Sequence, residues 1–186
     1  APVNLVRGFA DAGVINEPIK LSNMIDAQRK LGYAADWGTF TLCEVMNAHF
    51  NNTLGNIGPI YVINVLDPSE GKHRKAEETT KQLSFAGGRA EFVSGTIILD
   101  TLTIAKSEGG DYAEGTDYAV DYNFTKGTVI ITSLIEDAPL TGTLAAKFYE
   151  VDDSTIEDSD IIGGVTSGGE YSGLSSIALL YPEQFA

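Results

Sequence analysis

Two kinds of hydrophobic pattern alternate along this chain. Before residue 67 the apolar residues recur at helical spacing or form continuous runs, whereas after Lys75 short β-prone runs are separated by glycines and other turn residues. The first kind of pattern returns after residue 160. We therefore expect a mixed, α+β fold, in which an α/β domain formed by residues 1–75 and 152–186 is interrupted by an inserted small antiparallel β-barrel or sandwich domain at 76–151.

Three stretches of the N-terminal part have the composition of strands. "VNLVRGFA" (3–10) and "PIKL" (18–21) are short and bounded by turn residues. "PIYVINVL" (59–66) is a continuous apolar run in which Asn64 is the single strongly polar member. Because a strand that does not alternate is covered on both faces, we expect 59–66 to lie inside a sheet flanked by helices.

Two amphipathic helices are predicted between these strands. Ser22 offers an N-cap oxygen to the first helix, and Gly32 stands where a left-handed residue ends a helix. The second helix begins near Thr41 and stops at the polar and glycine residues of 51–55. The apolar positions at helical spacing are Met24, Ala27 and Leu31 in the first helix, and Leu42, Val45, Met46, His49 and Phe50 in the second.

The middle of the chain is predicted to be all-β. Tyr118 and Tyr122 alternate with Asp121 and Asn123, which is typical of an antiparallel strand with one solvated face. Lys126-Gly127 predicts a tight hairpin. The polar stretches 67–78 and 152–160 would connect the two cores. The five β-prone runs are 81–93, 95–106, 116–124, 127–134 and 142–151.

The C-terminal stretch is predicted to contain a strand and a helix. "SDIIGGV" (159–165) has the pattern of a buried edge strand running into a turn. Apolar residues at helical spacing then predict a helix that is capped near Ser172 and stopped by Pro182. Its apolar residues are Leu174, Ile177, Ala178 and Tyr181.

Charge excludes two classes of partner. The chain has 186 residues, is 43% hydrophobic, and carries a net charge of −14, with no Lys or Arg in residues 152–186. Nucleic acids and anionic membranes bind clustered basic residues, so we expect neither as a partner. No apolar run approaches the length of a membrane span. The single cysteine, Cys43, cannot form an internal disulfide, which favours a reducing compartment of synthesis.

Candidate catalytic motifs are weak. "GGVTSGGEYS" (163–172) has glycines at phosphate-loop spacing, but Glu170 stands where a phosphate-binding Lys is needed, and a carboxylate repels phosphate. His49 lies on the apolar stripe of its helix and is interpreted as a core histidine, whereas His73 lies in the basic segment "KHRK" and is expected to be solvated. No cofactor and no enzymatic activity are predicted.

A cluster of carboxylates follows the predicted β domain, residues 76–151, which we call the β unit. Calcium requires six to eight oxygen ligands, and the spacing of this cluster matches no EF-hand loop. We interpret it as an acidic connection or a surface that faces a partner, and leave a weak cation site open. Its members are Asp152, Asp153, Glu157, Asp158 and Asp160.

The order of blocks along the chain resembles a known family. "GVINEPIKLSNMIDAQRKLGY" and "DWGTFTLCEVMNAHFNN" precede "GPIYVINVLDP", after which come "EGTDYAVDYNFTKGTV" and "DIIGGVTSGGEYSGLSSI". In this order they are similar to the contractile tail sheath proteins of bacteriophages, R-type bacteriocins and related contractile injection particles.

The resemblance implies a mechanical, non-enzymatic role. Sheath subunits surround an inner tube and contract to drive it through a target envelope, and the resemblance places this chain in the N-terminal and middle portion of such a subunit. Neighbouring sheath subunits are the implied partners, with the tube and baseplate contacted through a further C-terminal domain. We expect the chain by itself to be a monomer, and the whole protein to reside in a phage tail or tail-like particle assembled in the bacterial host cytoplasm.

Two other interpretations remain open. The Tyr-rich β unit is compatible with a carbohydrate-binding or adhesin-like module centred on Tyr112, Tyr118 or Tyr122. A hydrolase that uses dispersed carboxylates requires two of them to face each other across a cleft.

Overall fold

The structure, a computed structural model, describes residues 1–7, 13–55 and 57–177. Its regular elements are short, and its strands pair antiparallel. The α-helices are α1 (Met24–Leu31), α2 (Thr41–Phe50) and α3 (Asp158–Ile162). The strands are β1 (Pro18–Leu21), β2 (Ile60–Ile63), β3 (Thr79–Phe85), β4 (Arg89–Val93), β5 (Thr103–Ile104), β6 (Tyr118–Asn123), β7 (Thr128–Ser133), β8 (Gly142–Phe148), β9 (Gly164–Val165) and β10 (Tyr171–Ser172).

Local signals explain where α1 begins and ends. The Asn23 side chain accepts a hydrogen bond from the Asp26 N–H at 2.9 Å, so Asn23 is the N-cap and the predicted cap at Ser22 is wrong by one residue. Gly32 ends the helix at φ +73°, a conformation that favours glycine, and a Cβ there would lie 2.6 Å from the Pro2 carbonyl oxygen. The predicted helix and its glycine stop are confirmed.

The predicted helix α2 is confirmed, but only part of its predicted apolar stripe is buried. Cys43, Met46 and Phe50 are buried, whereas Val45 is 41% exposed. His49, interpreted as a core residue, is only partly buried, and its ring nitrogen lies 3.0 Å from the Val45 carbonyl oxygen of its own helix. Met46 and Phe50 pack in one core with residues of β1 and β2, and Val45 therefore lies on the solvent side of the helix.

Strand β2 is shorter and less covered than the apolar run predicted. It pairs with β1 in a two-stranded sheet, with Ile19 opposite Val62 and Lys20 opposite Tyr61. Ile19 and Val62 are buried in the core beneath the helices, whereas Tyr61 is 37% exposed. The expected coverage of both faces is therefore wrong for the residues that the structure describes, because α1 and α2 pack on the face that carries Val62.

Residues 79–148 form two three-stranded antiparallel sheets around one core. The strand orders are β3–β8–β5 and β4–β7–β6. Phe92 and Phe148 stack across the core with ring centroids 5.6 Å apart. The mixed character of the fold is confirmed, but these sheets do not close into a barrel among the described residues. The buried core residues are Leu5, Leu83, Phe85, Ala90, Phe92, Ile97, Leu99, Leu102, Ile104, Tyr118, Val129, Ile131, Leu140, Leu144, Ala146 and Phe148.

One hairpin of this unit follows its predicted turn residues, whereas one predicted β run is divided into two strands that belong to different sheets. The run 81–93 divides at Gly87-Gly88, whose φ angles are +58° and +77°, into β3 and β4. Lys126-Gly127 belongs to the predicted β6–β7 hairpin, where the Asn123 side chain accepts the Lys126 N–H at 3.0 Å. The run 95–106 is mostly irregular, because a 3-10 helix at Leu99–Thr101 leaves only two residues in β5.

The N-terminal strand prediction fails where it can be checked. Val3–Leu5 is a 3-10 helix, while residues 8–10 of the predicted strand lie outside the described residues. Leu5 is buried in the core of the β unit, so this segment packs as an anchor instead of pairing in a sheet.

The C-terminal stretch also differs from its prediction. "SDIIGGV" contains helix α3, and Ile161 and Ile162 are 47% and 62% exposed, so the predicted buried edge strand is wrong. The predicted last helix starts as a 3-10 helix at Gly173–Ser176, and its remainder from residue 178 lies outside the described residues. No helix within the described ranges is long and apolar enough to cross a membrane.

Candidate functional site

The two polar connections lie side by side where the β unit joins the rest of the chain. Arg74 and Val151 form an antiparallel bridge. On one side of it the Lys75 N–H donates to the Glu150 carbonyl oxygen at 2.9 Å, and on the other the Asp152 N–H donates to the His73 carbonyl oxygen at 2.9 Å. We call residues 73–75 and 150–152 the junction. Its three consecutive pairs place the two ends of the β unit next to each other.

Glu150 binds three partners at the junction. Its carboxylate accepts hydrogen bonds from the hydroxyls of Thr96 at 2.7 Å and Thr79 at 3.3 Å, and forms an ion pair with Lys75 at 3.2 Å. Burial alone would raise the pKa of Glu150, but these hydrogen bonds and the Lys75 charge outweigh it and hold the pKa below its usual value. Glu150 therefore links the first connection to the β unit in its ionised form.

Aromatic and apolar contacts extend the junction on both sides. The Arg74 guanidinium lies 3.7 Å from the centroid of the Tyr149 ring, within the range of a cation–π interaction. Val151 is 1% exposed and belongs to a separate core cluster. The other buried members of that cluster, Phe40, Cys43, Leu66 and Ile98, come from both predicted domains.

His73 is buried at the junction, so its predicted solvation is wrong. The imidazole Nδ1 accepts a hydrogen bond from the Asp67 N–H at 2.9 Å, and the His73 N–H donates to the Asp67 carbonyl oxygen at 2.9 Å. The other ring nitrogen, Nε2, lies 3.5 Å from Oδ2 of Asp160. The pattern "KHRK" conceals this position, because Asp160, which faces the ring, lies far along the chain.

The five carboxylates of the acidic cluster do not converge. Asp152 accepts the Ser154 N–H at 3.2 Å, and Asp160 accepts the Glu157 N–H at 2.8 Å as part of a capping box on α3. No group of three or more His, Cys, Asp or Glu side chains that could hold a metal ion occurs among the described residues. The cluster caps short helices and leaves its remaining charge facing solvent.

The N-terminal segment makes a further link to the β unit that sequence reasoning missed. The Asn4 side-chain amide donates to the carbonyl oxygens of Ile97 at 2.8 Å and Gly95 at 3.3 Å. Arg7 forms ion pairs with Glu114 at 2.6 Å and with Asp100 at 3.4 Å. The predicted strand pattern hid these contacts, which pair residues more than 90 positions apart.

An apolar cavity of about 210 Å³ opens beside the end of β2. It lies between residues 63–66, the beginning of α2, and the stretch that contains α3. Its apolar lining includes Phe40, Leu42, Ile63, Leu66, Ile161 and Leu174. No carboxylate, histidine or cysteine side chain is among its lining residues, which also include the polar Thr39, Thr41 and Asn64.

The glycine-rich stretch at 163–172 is a packing motif. A Cβ at Gly163 would overlap the carbonyl oxygen of Ser172, and a Cβ at Gly173 would lie 2.6 Å from the carbonyl oxygens of Asp160 and Ile161. The two glycines allow the backbones of α3 and β10 to cross in contact. Gly163 therefore has a structural role, whereas a Cβ at Gly164, Gly168 or Gly169 would meet no backbone atom within 4 Å.

The tyrosines proposed for carbohydrate binding do not form an exposed platform. Tyr118 is 1% exposed and its hydroxyl donates to the Leu102 carbonyl oxygen at 3.2 Å. Burial raises the pKa of Tyr118 to about 12, and burial likewise raises that of Tyr122 to about 12. Tyr122 packs edge-on against Phe124, and both lie against the core together with Tyr112.

Cys43 is a buried core residue on α2. Its sulfur accepts a hydrogen bond from the Ala34 N–H at 3.4 Å. Burial raises the pKa of the thiol, which keeps it protonated and poorly reactive at neutral pH.

Comparison with known proteins gives one informative relationship. The chain is 32% identical over 189 aligned positions to the tail sheath protein of Burkholderia phage BcepMu, and the alignment covers 97% of this chain. It covers 37% of the phage protein, so the chain spans well under half the length of that relative. No family model matches the chain, and no solved structure matches it.

Proposed function

Because this chain is related over nearly its whole length to a phage tail sheath protein, we propose that it is part of a structural subunit of a contractile tail sheath. In this proposal the subunits surround an inner tube and contract to drive it through a target cell envelope. The observation that carries the proposal is the alignment over 97% of the chain, since a shared single domain would have matched a shorter stretch. Sheath proteins act by moving as bodies within an assembly, without catalysis.

The proposed partners follow from the same role. Neighbouring sheath subunits would contact the chain directly, and the tube and baseplate would be reached through parts of the protein outside this sequence. The protein would reside in the tail of a virion or a tail-like particle assembled in the host cytoplasm. The net charge of −14 supports partners other than nucleic acid or anionic membranes.

We also propose that residues 76–151 are an inserted domain and that 1–75 with 152–186 form the domain that receives it. The junction supports this division, because its paired residues bring the two ends of the β unit together. Several contacts cross the proposed boundary: Leu5 packs in the core of the β unit, Asn4 and Arg7 bond to Ile97 and Glu114, and Ile98 packs with Phe40 and Leu66. The two bodies would therefore move together unless these contacts are broken.

Assembly tests the proposed function. We expect the 186-residue chain to remain a monomer in light scattering across a salt series, and the full-length protein that contains it to form tubular sheaths visible by electron microscopy. At a charge of −14 the isolated chain repels its copies, and screening within about 10 Å at 0.1 M salt relieves only part of this.

Two outcomes would contradict the proposal. A full-length protein that stays monomeric even with tube and baseplate proteins present would exclude the sheath role. Filaments formed by the 186-residue chain alone would place the assembly contacts within it and contradict its monomeric state.

A further inference from the structure

His73 joins three segments at the base of the β unit, two through its side chain and one through its backbone. Its Nδ1 accepts a hydrogen bond from the Asp67 N–H, and its Nε2 faces the Asp160 carboxylate on α3. Its backbone carbonyl oxygen accepts a hydrogen bond from the Asp152 N–H. The side chain is 9% exposed, so water competes poorly for these contacts. The ring therefore adds a second hydrogen bond across the loop 67–73, beside the backbone bond from the His73 N–H to the Asp67 carbonyl oxygen, and borders the second connection.

The geometry assigns one neutral form of the ring. A peptide N–H can only donate, so Nδ1 must be the acceptor in the contact with Asp67. The single hydrogen of the neutral imidazole then lies on Nε2, directed toward the Asp160 carboxylate.

A proton from solvent can be added only at Nδ1. The protonated ring would then set an N–H donor against the N–H donor of Asp67, and that hydrogen bond is lost. The contact between Nε2 and Asp160 keeps its hydrogen and gains the attraction of opposite charges. Protonation therefore acts in opposite directions on the two sides of the ring.

Other charged groups near the ring have partners of their own. The Asp67 carboxylate accepts the Ser69 N–H at 2.9 Å, and the Arg74 guanidinium lies over Tyr149. The Asp152 carboxylate accepts from Ser154, and Lys72 lines a polar cleft together with Asp160. Among these, Asp160 is the carboxylate that directly faces the imidazole.

We propose that His73 is a proton-sensitive latch at the junction. In its neutral form the ring accepts the Asp67 N–H; when protonated it gives up this bond, keeps its contact with Asp160 on α3, and leaves the backbone bond from the His73 N–H to the Asp67 carbonyl oxygen in place. The backbone pairs of the junction do not depend on the ring, so the latch loosens the first connection without detaching the β unit. This inference does not depend on the proposed sheath role.

Amide hydrogen exchange measured by NMR on the 186-residue chain tests the latch. Over the range in which histidine side chains ordinarily change charge, about pH 8 to 5, we expect the protection factor of the Asp67 amide, which is corrected for intrinsic exchange, to fall about fivefold. The matched variant is His73→Asn, whose side-chain oxygen can take the place of Nδ1 as an acceptor but does not titrate. Its Asp67 protection should stay constant over the same range.

The imidazole ¹⁵N shifts of the wild-type chain provide a second measurement that needs no variant. They should show hydrogen on Nε2 and none on Nδ1 at the upper end of the range. Hydrogen on Nδ1 there, an Asp67 protection that does not change in the wild type, or the same change in His73→Asn would each overturn the latch.

Discussion

The ionisable residues Glu150, which is partly buried, and His73, which is buried, act as links between distant segments of this molecule. Glu150 and His73 both lie at the junction, and each holds backbone or side-chain groups from another part of the chain. Neither has a recognisable motif. Their importance comes from position, because each polar contact in a partly buried place costs free energy when one partner is lost.

The first residue-scale prediction concerns Glu150. Replacing it with Gln removes the charge that binds Lys75, Thr79 and Thr96, and should lower the free energy of unfolding by about 1–2 kcal/mol at neutral pH. Because the pKa of Glu150 is lowered in the folded state, its ionised form stabilises the fold above the ordinary glutamate pKa, about 4.3. That contribution is lost as the pH falls through the folded-state pKa.

Urea unfolding of wild type and Glu150→Gln across this pH range would measure the effect. The difference between the two proteins should shrink toward acid. Glu91→Gln is the matched control, since Glu91 is a 59% exposed side chain paired with Arg89 on the surface and should change stability little. A Glu150 difference that is the same at all pH values would show that the charge is not responsible.

Residues whose neighbours are local could be predicted from the sequence, and those whose neighbours are distant could not. Gly32 ends α1 as expected because the signal lies within the helix itself. For His73 the sequence predicts a solvated side chain, and this is wrong because its partners Asp67 and Asp160 come from a loop and a later helix. Its charged flanking residues gave no sign of burial.

At the scale of elements, capping decides the position of α1. The Asn23 side chain accepts a hydrogen bond from the Asp26 N–H, and the Asp26 carboxylate accepts one from the Ser22 N–H at 3.1 Å. Each of the two side chains therefore pairs with one backbone N–H at the start of the helix. The helix has only eight residues and depends on this cap more than a long helix would.

Removing the cap oxygen should therefore destabilise the protein measurably. We expect Asn23→Ala to lower the free energy of unfolding by about 1 kcal/mol, whereas Asn23→Ser, which keeps an oxygen in place, should cost only a fraction of that. Thermal unfolding followed by circular dichroism would compare the two. Equal losses in both variants would mean that the Asn23 side chain stabilises the fold by another route.

Element types were easier to predict than their coverage. The hairpin at Lys126-Gly127 has a local turn signal and occurs, whereas the single predicted run 81–93 is divided at Gly87-Gly88 into two strands of different sheets. The apolar run 59–66 predicted a strand covered on both faces, yet β2 has four residues and leaves Tyr61 37% exposed. Hydrophobic composition favours burial, but which face is covered depends on elements elsewhere in the fold.

At the scale of the whole molecule, the junction makes the β unit removable in principle. Bridged residues of antiparallel chains lie close enough for a two-residue turn to connect them. We predict that replacing residues 76–149 by Asn-Gly, which joins Lys75 to Glu150 and keeps Val151, leaves the helical circular-dichroism signal of α1 and α2 in place. The loss of Ile98 from its core cluster and of the partners of Leu5 should still lower stability.

A second deletion tests the boundary drawn from the sequence. Joining residue 75 directly to residue 152 also removes Val151, which is 1% exposed, and should be less stable than the first deletion by about 1–3 kcal/mol. Loss of the helical signal in both deletions would show that residues 1–75 with 152–186 do not fold without the β unit. Equal stability of the two would show that Val151 does not belong to the remaining core.

The backbone crossing at Gly163 limits how related sequences can diverge. The loop 164–171 is mostly exposed and is free to change composition over evolutionary time. At Gly163 any side chain would overlap the Ser172 carbonyl oxygen, so selection should retain glycine there while neighbouring codons drift. Packing should therefore preserve the single glycine at 163 in distant descendants of this sequence, whereas the apparent phosphate-loop spacing, which also needs Gly168 in the exposed loop, should be lost.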